Sequence, residues 1–430
     1  MNESATHAAI EAIARNSYGR LIAYIAARSG DVVGAEDALG DAIAVALERW
    51  PRDGVPQKPE AWLLHAARNR VIDAARRQQV RQNAESFLRQ IAEEAQAVAN
   101  TSEQFPDERL KLLFVCAHPA IDAGARTPLM LQTVLGVEAG RIASAFLVSP
   151  AAMSQRLVRA KNKIRDAHIP FRVPEPPEWN ERITSVLDAI YSAYTTGWES
   201  LMDASSTHHA LAGDAIAIGR TLVQLMPAEP EAHGLLALML HCEARRGARY
   251  STKGEFVPID QQETSRWSRT MIDEAEDHLR SAAKFKRMGR YQLEAAIQSV
   301  HAGRAVNGDI DWAEIALLYE GLVQIAPRVG SLVGRAVALA QAGEVVAGFG
   351  ALEEIPRDRI VTYQPYWAAR GHLLQLLDRK DEALKAFTRA ASLTDDPALR
   401  EYLFKSAADP SIQATNTKGV FHERHVSSAH

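Results

Sequence analysis

The stretch that decides the fold is Gly140–Arg165, GRIASAFLVSPAAMSQRLVRAKNKIR. Its first part puts Ile142, Ala143, Phe146 and Leu147 on one helical face. A break follows at Val148-Ser149-Pro150, where Ser149 suits an N-cap and Pro150 the first helical position. The second helix carries an apolar stripe of Met153, Leu157, Ala160 and Ile164. Its other face presents Ser154, Gln155, Arg156, Val158, Arg159 and Lys161. From Ala151 to Arg165 the charges are Arg156, Arg159, Lys161, Lys163 and Arg165, with no acid among them. Two helices joined by a short turn, the second basic and polar on its outer face, form a helix-turn-helix pattern. In such a unit the second helix enters the major groove. Gln155, Arg156 and Arg159 are placed for base edges or phosphates, and Lys161, Lys163 and Arg165 for the backbone. The plain alternative is an antiparallel helix pair with a solvated basic face. Many helix-turn-helix units have Gly in the turn, where this chain has Leu147 and Val148.

Outward from this pair, nearly every periodic segment has a helical period, and no run of alternating β-branched residues competes. The expected fold is all-α: two small helical domains, the second with the helix-turn-helix, followed by an α-solenoid. The first domain spans 10–83, a polar acidic linker 84–106, and the second domain 107–168. Four prolines between Pro170 and Pro177 cannot continue a helix and mark a boundary before a third block over 180–406. The tail, 409–430, is polar and aperiodic and is expected to be disordered.

Charge is segregated among these parts. Asp31 to Glu48 holds Asp31, Glu36, Asp37, Asp41 and Glu48 with no base. Ala61 to Arg81 then holds Arg68, Arg70, Arg76, Arg77 and Arg81 against Asp73 alone. The linker turns acidic through Glu85, Glu93, Glu94 and Glu103. Any single run is ordinarily a solvated face; two basic helices separated by an acidic linker say more. Net charge is −4 over 430 residues, so a local basic patch must carry any contact with nucleic acid.

The helix opened by Ala35-Glu36-Asp37-Ala38-Leu39-Gly40-Asp41-Ala42, followed by Ala61-Trp62-Leu63-Leu64-His65-Ala66-Ala67-Arg68-Asn69-Arg70-Val71-Ile72-Asp73-Ala74-Ala75-Arg76-Arg77, resembles the first conserved domain of extracytoplasmic-function sigma factors of RNA polymerase. Met153 to Lys161 is similar to the end of their −35-reading domain, and the likeness covers roughly residues 10–168 in the family's order. Leu110–Ala120, with Cys116-Ala117-His118-Pro119, suggests the subgroup with a tetratricopeptide-like C-terminal extension. The resemblance implies a sigma factor that binds core polymerase, directs it to promoter DNA and helps melt the −10 element. It implies docking on the coiled coil of the β′ subunit, with contact to β, through Glu36, Asp37 and Asp41. Arg68, Asn69, Arg70, Arg76 and Arg77 would hold −10 strands, and Trp62 would offer a stacking surface. A Trp beside Leu63 and Leu64 is more often core. Ser154, Gln155, Arg156, Val158, Arg159, Lys161 and Lys163 would meet the −35 element.

In the third block, Trp367, Gly371, Leu374, Ala383, Phe387 and Ala390 fall at tetratricopeptide spacings, with Pro397 just after. Weaker units end at Pro227, Pro327 and Pro356, and about four to six helix pairs are expected. Gly254–Trp267 interrupts the pattern as an inserted loop. Such a surface binds a protein partner or folds back on the sigma domains. No phosphate loop, HExxH pair or paired-Cys zinc spacing occurs, so neither an enzyme nor a cofactor or metal is expected. Cys116 and Cys242 make no disulfide framework. With no signal peptide or apolar run long enough for a membrane span, the expected location is the cytoplasm. The rival reading is a repeat scaffold, or a DNA-tethered regulator without sigma activity.

Overall fold

The computed structural model describes residues 2–77, 107–146, 148–179, 181–199 and 206–408. Regular structure in them is helical, and the only strand-like pairing is the isolated antiparallel bridge between Tyr250 and Phe256. The linker 84–106, the end of the first domain after Arg77 and the tail 409–430 lie outside these residues, as does Leu147.

Compactness divides the chain between Leu225 and Met226. The first unit opens with α1 (Asn2–Asn16), α2 (Tyr18–Ser29), α3 (Val32–Asp53) and α4 (Pro59–Arg77). α3 buries Ala35, Ala38, Leu39, Ala42, Ala46 and Trp50, a stripe at spacings of three and four. It packs on α1, α2 and α4. Between α2 and α3 the chain turns through Gly30, whose φ of 69° is the left-handed geometry that glycine takes without a Cβ penalty. α5 (Arg109–Cys116), α6 (Ala123–Thr133), α7 (Ala139–Ala145) and α8 (Pro150–Asp166) follow. α5 is buried on all sides, from Leu112 through Cys116.

The proline-rich segment ends the preceding helix without separating what comes next. Pro174 is buried, and Trp179 Nε1 donates to its carbonyl at 2.8 Å. Arg182 donates to Glu178 Oε2 at 2.6 Å and to Phe114 O at 3.5 Å, which turns the chain back onto α5. Consequently α9 (Ile183–Glu199) packs on α6 and α5, and α10 (Ser206–Leu225) packs on α9, α5 and α1. The first helix pair of the expected third block thus belongs to the first unit. Proline composition marks where a helix stops, not where a core stops.

The second unit is solenoid-like. Its helices are α11 (Pro230–Ala244), α12 (Arg269–Ala283), α13 (Arg290–Asn307), α14 (Trp312–Ile325), α15 (Val329–Gln341), α16 (Val345–Glu353), α17 (Gln364–Leu376), α18 (Lys380–Ser392) and α19 (Pro397–Ala408). Most pack on their sequence neighbours, while α13 packs chiefly on α11, and α15 on α17 links successive pairs. At the Trp367–Thr394 unit, Gly371 lies under the Phe387 ring so closely that an added Cβ would stand 2.9 Å from ring carbons. Trp367 bridges the two apolar clusters on either side of α17. The interruption after α11 is a folded strap. Tyr250 Oη donates to Asp396 Oδ2 at 2.6 Å, Phe256 meets the Tyr402 ring at 5.3 Å, and Lys405 pairs with Glu255 at 3.2 Å. Those contacts tie the segment after α11 to the start and face of α19.

Candidate nucleic-acid interface

α8 starts as its sequence dictates. Ser149 is extended (φ −69°, ψ 147°), its Oγ accepts from Ala152 N–H at 3.2 Å, and Pro150 occupies the first turn. Met153, Leu157, Ala160 and Ile164 form the buried stripe. α7 is closed by Val148 N–H donating to Ala143 O at 3.0 Å, and Ile142 and Ala143 are buried. Phe146, expected on that apolar face, is instead exposed, because α7 has already ended at Ala145.

On the outer face of α8, Ser154, Gln155, Val158, Arg159 and Lys163 are exposed. Val158 is 57% exposed, a large apolar group offered to solvent in a row of polar ones. Arg156 is half-buried and donates to Gly124 O at 3.5 Å, and Arg159 Nε donates to its own-turn Gln155 O at 3.3 Å. Arg156, Arg159 and Lys163 line one side of a cleft of about 480 Å³, with Ile121, Asp122 and Ala125 opposite. Three cations on one wall and a single acid on the other suit this cleft to phosphate oxygens.

Lys161 departs from the expected arrangement. It points inward, its side chain 16% exposed, and donates to Glu36 Oε2 on α3 at 2.6 Å. The reason lies in register: Lys161 stands four residues after Leu157, at the flank of the buried stripe rather than opposite it. Glu36 is 15% exposed in the same contact. Burial, with the Glu36 and Asp37 carboxylates beside it, pushes the Tyr18 hydroxyl up to about 12. Burial, with the Glu36 carboxylate adding to it, also pushes the Cys116 thiol well above its ordinary range.

The other two acids of α3 expected at core polymerase are exposed. Asp37 faces solvent, while Asp41 pairs with Arg70 of α4 at 3.6 Å. On α4, Trp62 is half-buried and meets buried Trp50 edge-on, with ring centroids 5.4 Å apart and planes at 69°. Only part of its ring is left for any other contact. Asn69 and Arg70 are exposed, and Arg68 is half-buried with an Nε that has no hydrogen-bond partner. Arg76 and Arg77 fall on the last turn of α4. His118 forms a turn, its Nδ1 accepting from Ala120 N–H at 3.1 Å. Among the described residues no His, Cys, Asp or Glu cluster could hold a metal. No described helix is long and apolar enough to cross a membrane.

Sequence reasoning missed Arg109. Its side chain is 7% exposed, and it pairs with Asp107 at 2.7 Å and, through Nη1, with Asp214 of α10 at 3.1 Å. Burial opposes the charge on Asp107, but the hydrogen bonds and charge of Arg109 hold its carboxyl below the usual range. The signal available was only a lone Arg at the head of an apolar run, which says nothing of a partner a hundred residues away.

Comparison with known proteins gives these surfaces a setting. Residues 13–81 match sigma-70 region 2, and residues 182–283 match a family of unknown function, DUF6596. α1 to α4 therefore carry a region 2 of the sigma-70 type, which makes the chain sigma-factor-like in promoter recognition and implies core RNA polymerase and promoter DNA as partners. The chain belongs to the same family as Uncharacterized protein R00370 of Rhizobium meliloti (strain 1021), with 37% identity over 393 residues, 89% of this chain and 92% of that protein. No solved structure matches it significantly.

Proposed function

We propose that the chain is a sigma factor of the extracytoplasmic-function type, directing core RNA polymerase to bipartite promoters and assisting −10 melting. The observation that carries this reading is one pairing in one chain. A region 2 match over residues 13–81 is followed by the capped basic helix α8, which rides on an apolar stripe and presents Gln155, Val158 and Arg159 outward. In this reading α3 docks on the β′ coiled coil through Asp37, Asp41 and Glu36. α4 engages the −10 strands through Arg68, Asn69, Arg70, Arg76 and Arg77, with Trp62 as much a packing group as a stacking one. α8 reads the −35 element, with Ser154, Gln155 and Arg159 toward base edges, Val158 toward a thymine methyl, and Arg156 and Lys163 toward phosphates.

The solenoid is tetratricopeptide-like and serves as a regulatory or partner-binding module. The protein works in the cytoplasm and catalyses no reaction. The helix pairs of the second unit also suit a repeat scaffold merely tethered to DNA, and one experiment separates the two. Transcription in vitro, with the full-length chain, core polymerase and the DNA upstream of its own coding sequence, should yield specific transcripts that depend on the added protein. Absence of both transcripts and core binding would sink the sigma reading in favour of the scaffold.

A further inference from the structure

The turn from α12 to α13 is strongly basic. From His278 to Leu293 the chain holds Arg280, Lys284, Lys286, Arg287 and Arg290 and no acid. Three of these cations are held by the fold. Arg280 pairs with Asp277, Arg287 with Glu229 at 3.1 Å, and Arg290 with Glu294 at 2.7 Å. Lys284 and Lys286 have no ion pair among the described residues, and both are exposed. Ala283 to Met288 is exposed throughout, with Phe285 38% and Met288 67% open to solvent.

Lys286 sits where the backbone favours another residue. Its φ is 51°, and its N–H donates to Ala283 O at 3.2 Å where α12 ends. Glycine takes this left-handed geometry after a helix without a Cβ penalty, whereas lysine does not. The strained lysine returns no side-chain hydrogen bond or ion pair among the described residues. A cation does favour a helix C-terminus, but Lys284 supplies one at the C-cap of α12 with an ordinary φ of −60°. The fold therefore has no use for the Lys286 ammonium that Lys284 does not already serve.

We propose that the α12–α13 turn is a second phosphate-binding contact, in which Lys284 and Lys286 engage the backbone of duplex DNA beyond the −35 element without reading its sequence. The inference rests on the sigma reading, which brings promoter DNA to this chain and gives the −10 side to α4. The contact therefore falls on the upstream side. Lysines are compact point charges suited to successive phosphates, and they are depleted from protein–protein interfaces. Phe285 and Met288 are of the apolar kind that minor-groove contacts employ. Together these favour DNA over an acidic protein surface.

The test measures promoter binding, as a function of salt, by the holoenzyme of the full-length chain with core polymerase. Two duplexes are compared, one ending at the −35 element and one continuing upstream by about 20 base pairs, two helical turns. Wild type should show the steeper salt dependence on the longer duplex. Replacing Lys284→Ala and Lys286→Ala together should lower the slope of log affinity against log salt by about two on the longer duplex, and leave it unchanged on the shorter. Lys286→Gly alone should lower that slope by about one while raising the thermal midpoint of the free chain, since strain is relieved as charge is lost. Circular dichroism confirms that each variant is folded. Equal wild-type slopes on the two duplexes, or a double variant that matches wild type on the longer one, overturn the proposal. So does a fall in core affinity with unchanged slopes, which would give the turn to a protein surface. If wild type forms no promoter complex on either duplex, the sigma reading fails and this contact fails with it.

Discussion

At the scale of single residues, the chemistry of α8 rests on a few side chains whose surroundings are now defined. Among the described residues Arg156 and Arg159 donate to the backbone carbonyls of Gly124 and Gln155, so replacing both with Ala removes charge without orphaning a buried charged partner there. Promoter binding should weaken by at least tenfold, with core association unchanged, on the usual scale of 1–3 kcal/mol per specific contact, roughly; gel shift and core pull-down read the two arms. A second residue-scale prediction concerns His301 on α13. It is 8% exposed, its ring meets Trp312 edge-on at 5.4 Å, and burial, with the Arg245 and Arg304 charges, lowers its pKa from 6.5 to about 3. A histidine neutral in the fold and protonated when unfolded stabilises fully above the unfolded pKa. That contribution is lost as pH falls from about 6.5 toward 3. At about pH 5 the loss is roughly 2 kcal/mol. Thermal melts should show wild type losing more stability than His301→Gln between neutral and mildly acid pH.

At the scale of elements, the helices follow rules legible in the sequence, and their contacts depend on small residues at crossings. Ser149 and Pro150 started α8, and the four-three-four spacing of its stripe is the one buried. The α17–α18 pair was likewise foreseen, because Gly371 opposite Phe387 admits a close crossing of helices. Gly371→Val should therefore force the pair apart and cost about 1–3 kcal/mol as overpacking, seen as a lower denaturation midpoint with the far-UV spectrum retained. What failed at this scale was Phe146. A helix that stops one residue early turns an expected core residue outward, and periodicity does not measure length. The strap between α11 and α12 was legible as an interruption only. Its ties to Asp396, Tyr402 and Lys405 depend on how far the solenoid brings α19 round.

For the whole molecule, a net charge of −4 means that DNA binding must come from locally segregated basic faces, that of α8 among them. Binding should then fall steeply with salt, through release of counterions from the phosphates that α8 neutralises. Lys163 is exposed on the wall of the cleft beside α8. Lys163→Ala should lower the slope of log affinity against log salt by about one while leaving sequence preference intact. A change in preference with an unchanged slope would move Lys163 from the backbone to a base.

By itself the sequence determined the helical class, the cap and stripe of α8, the segregation of acidic and basic helices, and the helix pair around Trp367. Each of these is set by neighbours within a few residues, through dihedral preference and the 3.6-residue period. Only the tertiary structure decided that Lys161 turns to Glu36 and that Arg109 sits between Asp107 and Asp214. It alone placed α9 and α10 on the first unit, despite four prolines before them. Those outcomes join residues far apart in sequence, Glu36 and Lys161 by 125 positions and α1 and α10 by more. Which distant charge a side chain meets is settled by the packing of whole helices, and local sequence carries no record of it.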